Sequence, residues 1–348
     1  AMTYQKFNLI LISKLKVMKP SDLKVVVNNT KKDDQEKQDH YFVGGVMQEQ
    51  IDNCSSRHRR KLYGPFVLER QLNVLVGQTA AGKSVLMVQV LRGIASEDYD
   101  GGFPCEASPL KCCYIDCEND TDDWRDRMNG ERLPSNILRK TLDPSIMFED
   151  LALVITREIK RIHREEGVQV FGIDNLKWLL SPGKLELEET WKLLKALNML
   201  RSQLGITIIL ATHSNKDKVN SEWTIKDISG GSDVNRFSQS IWAVGNVQGQ
   251  SRQRYLKQLK QRSAPIVHDS SNVAVAELIK HDGKALQFVF MPDLNTQERN
   301  LVRQMSNEPS KSEQIHELLA EDPEMAVAEI AKKCKCSETL VRKVKNAA

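Results

Sequence analysis

The stretch GQTAAGKS, from Gly77 to Ser84, matches the pattern GxxxxGK[ST], which binds nucleoside phosphates. The glycines of this pattern permit a tight loop whose backbone N–H groups converge on phosphate oxygens, and the N-terminus of the following helix adds favourable dipole charge. Lys83 is expected to reach the β- and γ-phosphates, and the Ser84 hydroxyl to bind Mg²⁺. The sequence therefore predicts a site for ATP and Mg²⁺ with these nucleotide contacts: Gly77, Gln78, Thr79, Ala80, Ala81, Gly82, Lys83, Ser84 and Val85.

Hydrolysis needs an acid that supports the metal ion and a second acid that activates the attacking water. Asp174 ends the apolar run VQVFGID and is predicted to support the metal, because ligands bind beyond the carboxyl ends of parallel strands. Asn175 follows it, so the water-activating acid is not the adjacent residue, as it is in AAA+ ATPases. The run KCCYIDCEND offers Asp116, Glu118 and Asp120. We predict that Glu118 activates the water; the alternative is a solvated loop acid.

His213 stands at the end of a further apolar run, within the segment ATHSNK. A polar residue at the tip of a buried strand beside the phosphate loop lies near the γ-phosphate and can report whether that phosphate is present. We predict this sensor role for His213; the alternative is an ordinary surface or core histidine.

Apolar strands and amphipathic helices alternate around these motifs, which predicts βαβ units with a parallel sheet covered by helices on both faces. The predicted strands are Leu72–Val76, Lys111–Cys117, Val168–Ile173 and Ile206–Ala211. The predicted helices are Lys83–Ile94, Phe148–Arg164 and Leu187–Leu204. Shorter runs separated by turn residues follow, and they predict an antiparallel extension of the sheet: Ile241–Val244, Tyr255–Leu259, Val273–Ile279 and Leu286–Phe290.

Composition is that of a globular protein, since 40% of the 348 residues are apolar and the formal net charge is only +4. The seven cysteines include no CxxC pair, which favours reduced core thiols over a zinc site or a disulfide framework. We expect a cytoplasmic protein with no membrane segment, because the apolar run 9–12 is too short to span a bilayer. The predicted organisation is an N-terminal arm (1–45), an ATPase core (46–295), a linker (296–310) and a small helical domain (311–348).

The order of these motifs resembles that of the RecA-like ATPase superfamily, and most closely that of plasmid RepA-type hexameric replicative helicases. THSNK (212–216) is similar to the His-bearing sensor segment of that group, and ISGGSDVNRFSQSIWAV (228–244) to the segment after it. That segment usually carries Arg-Gly-Ser, whereas this chain has Gly230-Gly231-Ser232, so a role for that arginine cannot be transferred. The resemblance implies an α/β, RecA-like P-loop core with a mostly parallel sheet flanked by helices, and assembly into a homo-oligomeric ring, a hexamer.

A second pair of cations resembles the nucleotide-contacting residues that DnaB-type helicases supply to a neighbouring subunit. LKQLKQRSAP (256–265) is similar to the Lys-x-Arg strand end of that group, which reaches the γ-phosphate of the neighbour. By this resemblance, Lys260 and Arg262 complete the neighbour's site, with Arg236 as second choice. A cation supplied by a neighbour stabilises transition-state charge and makes hydrolysis depend on assembly. The alternative is a solvated basic hairpin.

The segment SNKDKVNSEWTIKDIS (214–229) is the predicted contact with single-stranded DNA. In the families that it resembles, loops at this position face the central channel of the ring. Lys216, Lys218 and Lys226 would follow phosphates, and Trp223 would stack on a base; the alternative for Trp223 is a packing anchor.

Residues 311–348 form a predicted all-α domain with three short helices and a tight turn at Cys334–Cys336, which resembles a helix-turn-helix. Its last helix exposes Arg342, Lys343 and Lys345, and these would contact duplex DNA. The alternative is a protein-docking unit with a solvated basic face.

The sequence as a whole favours an ATP-hydrolysing ring that moves along single-stranded DNA, in replication of a plasmid, phage or other mobile element. One alternative is a DNA-binding ATPase switch, such as a helicase loader, a regulator or a recombinase-like filament, that does not unwind DNA. A second alternative is a catalytically weak structural or binding module, which the missing Arg-Gly-Ser arginine keeps open.

Overall fold

The structure is a computed structural model of the chain, and it describes residues 46–53, 58–96, 102–107, 109–141, 151–176, 185–215, 221–291, 294, 296–302, 311–323 and 325–345. The chain divides into two compact units, residues 1–58 and residues 59–348. In the first unit, the described part contains helix α1 (Met47–Asp52), which buries none of its residues. The predicted arm at 1–45 lies outside the described residues, as do Lys216 and Lys218.

One mixed sheet forms the centre of the second unit, and among the described residues it has nine strands in the order β11-β10-β9-β8-β3-β7-β6-β4-β5. Its strands are β3 (Leu72–Gly77), β4 (Cys112–Asp116), β5 (Ile137–Thr141), β6 (Val170–Asp174), β7 (Thr207–His213), β8 (Ser240–Asn246), β9 (Gln253–Gln261), β10 (Ala274–Ile279) and β11 (Gln287–Phe290). Two short strands before it, β1 (Lys61–Tyr63) and β2 (Val67–Leu68), pair with each other.

Helices cover both faces of the parallel part of the sheet, as the continuous apolar strands predict. Helix α2 (Lys83–Ala95) packs on one face, and helices α4 (Leu151–Glu166) and α5 (Leu185–Leu204) pack on the other. Strand β3 contributes to both cores, since Leu72 and Val74 face α4 and α5 whereas Leu75 faces α2. The predicted α/β fold with a mostly parallel sheet flanked by helices is confirmed.

The sheet differs from the prediction at two strands. Strand β8 was expected in the antiparallel extension, but it pairs parallel to β3, and the antiparallel part begins with β9. Strand β5 was not predicted, because its sequence ILRKT lacks an apolar run and its residues stay partly exposed. The change from parallel to antiparallel pairing therefore comes one strand later than predicted. The strands that end near the predicted nucleotide site, β3, β4, β6 and β7, all run in the same direction.

The remaining helices of the described residues are α3 (Thr121–Met128), a 3₁₀ turn (Ile225–Asp227), α6 (Gly231–Phe237), α7 (Glu298–Val302), α8 (Lys311–Glu321), α9 (Val327–Lys333) and α10 (Glu338–Lys345). The last three share a small apolar core, to which Ile315, Ile330 and Val341 contribute fully buried side chains. The predicted C-terminal helices are thus present, while the proposed boundaries at 295 and 310 stay predictions. Among the described residues, none of the helices has the length and hydrophobicity that a membrane span needs.

Candidate functional site

The predicted phosphate loop joins the end of β3 to the start of α2 and depends on its two glycines. Gly82 has φ of +92°, and a Cβ atom added there would lie 2.9 Å from Phe288 Cζ. A Cβ atom on Gly77 would lie 2.5 Å from Val244 Cγ1, so larger residues are excluded at both positions for steric reasons. The loop is therefore held close to β8 and β11 while its N–H groups remain at the N-terminus of α2.

Lys83 is folded back on the loop that carries it. Its Nζ donates to the carbonyl oxygens of Gly77 at 3.1 Å and Gln78 at 2.8 Å, and lies 3.3 Å from His213 Nδ1. Burial lowers the pKa of Lys83, although the charges of Asp174 and Glu118 oppose that effect. Phosphate oxygens are stronger acceptors than these carbonyls, so an arriving nucleotide can take over the ammonium group.

Asp174 ends β6 and is 1% exposed. Its carboxylate accepts hydrogen bonds from the Ser84 hydroxyl and from Tyr114 Oη, the latter at 2.8 Å. Burial raises the pKa of Asp174, and the hydrogen bonds from Ser84 and Tyr114 oppose the rise. The Ser84 and Asp174 oxygens fit a Mg²⁺ ion that takes its other ligands from phosphate and water. Within the described ranges, His, Cys, Asp and Glu side chains form no cluster of three or more able to hold a metal by themselves.

Glu118 is exposed, and the turn that presents it is fixed by the buried carboxylate of Asp116. Asp116 accepts from the backbone N–H of Glu118 at 3.2 Å, from the backbone N–H of Asn119 at 3.0 Å and from Trp124 Nε1 at 2.7 Å. Burial alone would raise the pKa of Asp116, but these hydrogen bonds hold it below the usual value. Of the three acids in this run, Asp120 caps α3 and Asp116 fixes the turn, which leaves Glu118 facing the cleft.

Asn175 connects Glu118 to His213. Its Nδ2 lies 2.6 Å from Glu118 Oε2 and 3.2 Å from His213 Nε2, while Lys83 Nζ faces the other ring nitrogen. A neutral imidazole has one donor and one acceptor, yet both ring nitrogens of His213 face N–H donors here. The arrangement is therefore complementary to an added acceptor such as a phosphate oxygen. Sequence reasoning missed this role, although the position directly after Asp174 was a usable signal.

These groups line one cleft with a cavity of about 290 Å³, near the lower limit for small-molecule sites. Eight of the predicted site residues line it: Thr79, Ala80, Gly82, Lys83, Ser84, Val85, Glu118 and His213. Arg127 of α3 also lines the cleft and was missed, because no motif marks it. Its guanidinium carbon lies 5.0 Å from the centre of the Trp124 ring, and its Nη1 is buried without a hydrogen-bond partner in the described structure.

The cleft lies at the carboxyl ends of the parallel strands, which we call the nucleotide edge of the sheet. Lys260 and Arg262 lie at the amino ends of the same strands, which we call the far edge. Strand β9 is antiparallel to β8, so Lys260 pairs with Ile241 at the start of β8, and Arg262 follows the end of β9. The strand length between the two edges is about 15–20 Å. Lys260 Nζ donates to the carbonyl oxygens of Asn235 and Ser238, and burial, with the charge of Arg262, lowers its pKa to about 8.

Arg262 donates from Nη2 to the carbonyl oxygen of Arg236 at 3.2 Å. The side chain of Arg236 is exposed, and its guanidinium carbon lies 5.6 Å from the centre of the Phe237 ring. Since these cations are separated from the chain's own cleft by the length of the sheet, they cannot contact the nucleotide held there.

Trp223 is not available for base stacking, which corrects the prediction. It is 2% exposed, and its backbone N–H donates to Glu298 at 2.6 Å. Lys257 Nζ donates both to the Trp223 carbonyl oxygen and to Glu298, which also accepts from Tyr255. The tryptophan is therefore a packing anchor for the segment after β7, the alternative that the sequence left open. Lys226 in the same segment is exposed.

The predicted duplex-DNA contacts lie on α10 and are exposed. Arg342 forms an ion pair of 3.3 Å with Glu338, one helical turn earlier. Lys345 Nζ donates to the Pro323 carbonyl oxygen at 3.1 Å, whereas Lys343 makes no such contact in the described structure. The face is basic but partly occupied by contacts within its own three helices.

A family model described as an AAA domain matches residues 45–219, slightly more than half of the chain. Among solved structures, the chain is similar to a KaiC-like protein of the hyperthermophilic archaeon Pyrococcus horikoshii, with 16% identity and a TM-score of 0.49. That match covers 68% of this chain and 99% of the other. No curated protein matches the chain.

Proposed function

The chain belongs to the AAA domain family and is a RecA-like P-loop ATPase, and from that premise we propose that it assembles into a ring that moves along single-stranded DNA. The observation that carries this proposal is the separation of two cationic groups. Lys83 lies in the nucleotide cleft, whereas Lys260 and Arg262 lie at the far edge of the same sheet. Head-to-tail contact between copies brings one edge to the other and generates a closed ring or a filament.

In the proposed reaction, water attacks the γ-phosphorus, Glu118 accepts a proton from that water, and the bond to the β-phosphate oxygen breaks to give ADP and phosphate. Lys83 and the loop N–H groups orient the phosphates and stabilise the charge that develops on them. Mg²⁺, bound by Ser84 and supported by Asp174, supplies further neutralisation of phosphate charge. Arg262 and Lys260 of a neighbouring copy complete the site, so turnover requires assembly.

A chain of polar contacts runs from Lys83 through His213 and Asn175 to Glu118. It connects the proposed sensor of the γ-phosphate to the proposed base. When the γ-phosphate accepts from Lys83, the ammonium group no longer faces His213 Nδ1. That nitrogen can then donate to the phosphate, while Nε2 accepts from Asn175. Asn175 then holds Glu118 while His213 holds the phosphate, which couples the presence of the substrate to the position of the base. His213 is the proposed sensor, and Asn175 is a positioning residue.

DNA contact by this ring is proposed for lysines of the segment 214–229, which follows β7. Lys226 of that segment is exposed. We propose that Lys226, Lys216 and Lys218 bind the phosphates of the strand. Moving single-stranded DNA through such a ring would serve replication of a plasmid, phage or other mobile element. Phosphate contacts of this kind are independent of sequence and weaken with salt.

A DNA-binding ATPase switch is the second candidate, and the C-terminal helices favour it. Helices α8, α9 and α10 have their own apolar core, and α10 exposes Arg342 and Lys343. A helix-turn-helix of this kind would dock the last helix in the major groove of duplex DNA. A motor that follows a single strand does not require such a unit.

The two candidates separate in a strand-displacement assay on a forked duplex, run beside ATP hydrolysis with and without single-stranded DNA. The motor predicts turnover that rises with DNA, together with ATP-dependent release of the displaced strand. Turnover that responds to DNA while the fork stays intact would support the switch. Undetectable turnover at saturating Mg-ATP would contradict both and support a binding module.

A further inference from the structure

Two arginines share one carbonyl oxygen at the far edge of the sheet, and Arg262 is connected to them by hydrogen bonds. The backbone N–H of Arg262 donates to the Gln239 carbonyl oxygen at 3.0 Å, and Gln239 Nε2 and Arg201 Nε both donate to Asn198 Oδ1. Nη1 of Arg59 and Nη1 of Arg201 donate to the same carbonyl oxygen, that of Arg70, at 3.0 and 2.9 Å. Arg201 is half-buried, and besides burial the charges of Arg59 and Arg262 lower its pKa. We call Arg59, Arg201 and Arg262 the arginine cluster. In the part of the chain that the structure describes, none of the three forms an ion pair.

The cluster is preorganised for an anion. Arg201 donates from Nε to Asn198 Oδ1 at 3.0 Å and from Nη1 to Arg70, which fixes the plane of its guanidinium and leaves Nη2 for a ligand. The neighbouring Arg60 shows the contrast, because it pairs with Glu69 at 2.9 Å. Like charges held together without an acid repel one another, and a bound anion relieves that repulsion. Fixed guanidinium planes suit phosphate oxygens.

The anion cannot be the nucleotide of the same chain, since the length of the sheet separates the cluster from Lys83. The cluster is compact, with two guanidinium groups on one carbonyl oxygen, and this suits a concentrated polyanion better than an extended strand of DNA. The cleft at the other edge of the sheet is the place where this chain holds such a polyanion. A second copy, docked head to tail, presents it.

We propose that Arg59 and Arg201 join Arg262 to bind the nucleotide phosphates held by a second copy of this chain. This inference rests on the proposed function and extends the shared site from the end of β9 to the segment before β1 and to the end of α5. Removing the guanidinium of Arg59 or of Arg201 is expected to lower turnover about 10-fold, the effect of losing a charge-assisted hydrogen bond. Binding of nucleotide to the chain's own cleft stays unchanged.

The test compares Arg59→Gln and Arg201→Gln with Arg164→Gln, an exposed arginine on α4 that pairs with Glu165. Turnover is measured across a range of protein concentrations, and binding of a fluorescent ATP analogue is measured in parallel. Each cluster variant is also mixed in equal amounts with Glu118→Gln, which retains an intact cluster but lacks the catalytic carboxylate. At random assembly, about a quarter of the interfaces then combine an intact cluster with an intact cleft.

The expected result is slow turnover for each cluster variant, normal binding of the ATP analogue, wild-type behaviour of the control and a mixture faster than the mean of its components. A mixture no faster than that mean, or cluster variants with wild-type turnover, would overturn the inference. If single-stranded DNA binding weakens while DNA-free turnover is unaffected, the cluster binds DNA and the inference is wrong. The proposed function fails separately if wild-type turnover per chain does not rise with protein concentration.

Discussion

The two edges of the central sheet balance their charges in different ways. At the nucleotide edge, where the parallel strands end, Lys83 lies near Asp174 and Glu118, and Asp116 is surrounded by donors. At the opposite edge, the arginine cluster and Lys260 contact carbonyl oxygens but no carboxylate in the described structure. The first edge combines cations and carboxylates within one chain, whereas we propose that the second binds an anion held by a second copy. Under this proposal, one chain carries two halves of a site at opposite edges of one sheet, and assembly brings the halves of different copies together.

The largest effect is expected at the nucleotide edge, from Glu118→Gln. Loss of the base lowers turnover by about 10³-fold, because a positioned base contributes two to four orders of magnitude. The amide keeps the shape of the side chain, so the affinity for ATP stays within a few-fold of the wild type. Single-turnover hydrolysis and equilibrium binding of an ATP analogue check both parts. A variant with more than a tenth of the wild-type turnover would contradict the role of Glu118 as the base.

Glu298 lies at neither edge, so Glu298→Gln is expected to lower stability and to leave turnover per folded molecule unchanged. The carboxylate is fully buried against Lys257, and breaking a buried ion pair destabilises a protein by about 3 kcal/mol. Denaturant unfolding would show the loss, while turnover per folded molecule remains normal. A large fall in turnover with unchanged stability would mean that the anchor at Trp223 takes part in catalysis.

Asn175→Ala should affect the nucleotide edge more mildly. Glu118 and His213 both remain, but the hydrogen bond that joins them is lost, and turnover falls about 10-fold. The fall should appear in kcat with KM nearly unchanged, because Asn175 does not contact the phosphates in this account. Asn175→Asp places a second carboxylate beside Glu118 and is expected to be worse. Equal activity of the three forms would remove Asn175 from the site.

The smallest expected effect is a pH dependence of kcat/KM that arises from Lys260 at the far edge. Because the pKa of Lys260 is lowered to about 8, its ammonium is charged below that pH and loses its proton as the pH rises through it. We expect kcat/KM, which reports on the free enzyme, to fall a few-fold between pH 7 and pH 9. Lys260→Arg should flatten the profile, because guanidinium stays charged. A fall that persists in Lys260→Arg arises at another group.

Sequence reasoning located the nucleotide edge better than the far edge, for a physical reason. Asp174 and His213 end apolar strands, and Lys83 follows another apolar strand through the phosphate loop. The carboxyl ends of parallel strands meet at one edge of a sheet. The arginine cluster has no such pattern, since Arg59 and Arg201 lie far apart in sequence and meet only through the fold. The direction of β8 depends on pairing with a distant strand, which local alternation does not encode.

ATP hydrolysis by the wild type and by Arg262→Ala, over a range of protein concentrations and with and without single-stranded DNA, tests whether the site is shared between copies. We predict that wild-type turnover per chain rises with concentration and with DNA. We expect the variant to bind ATP normally but to lose turnover by about 10³-fold, the lower range for an arginine supplied by a neighbour. Turnover that is independent of concentration and DNA, and unchanged in the variant, would contradict a site shared between copies.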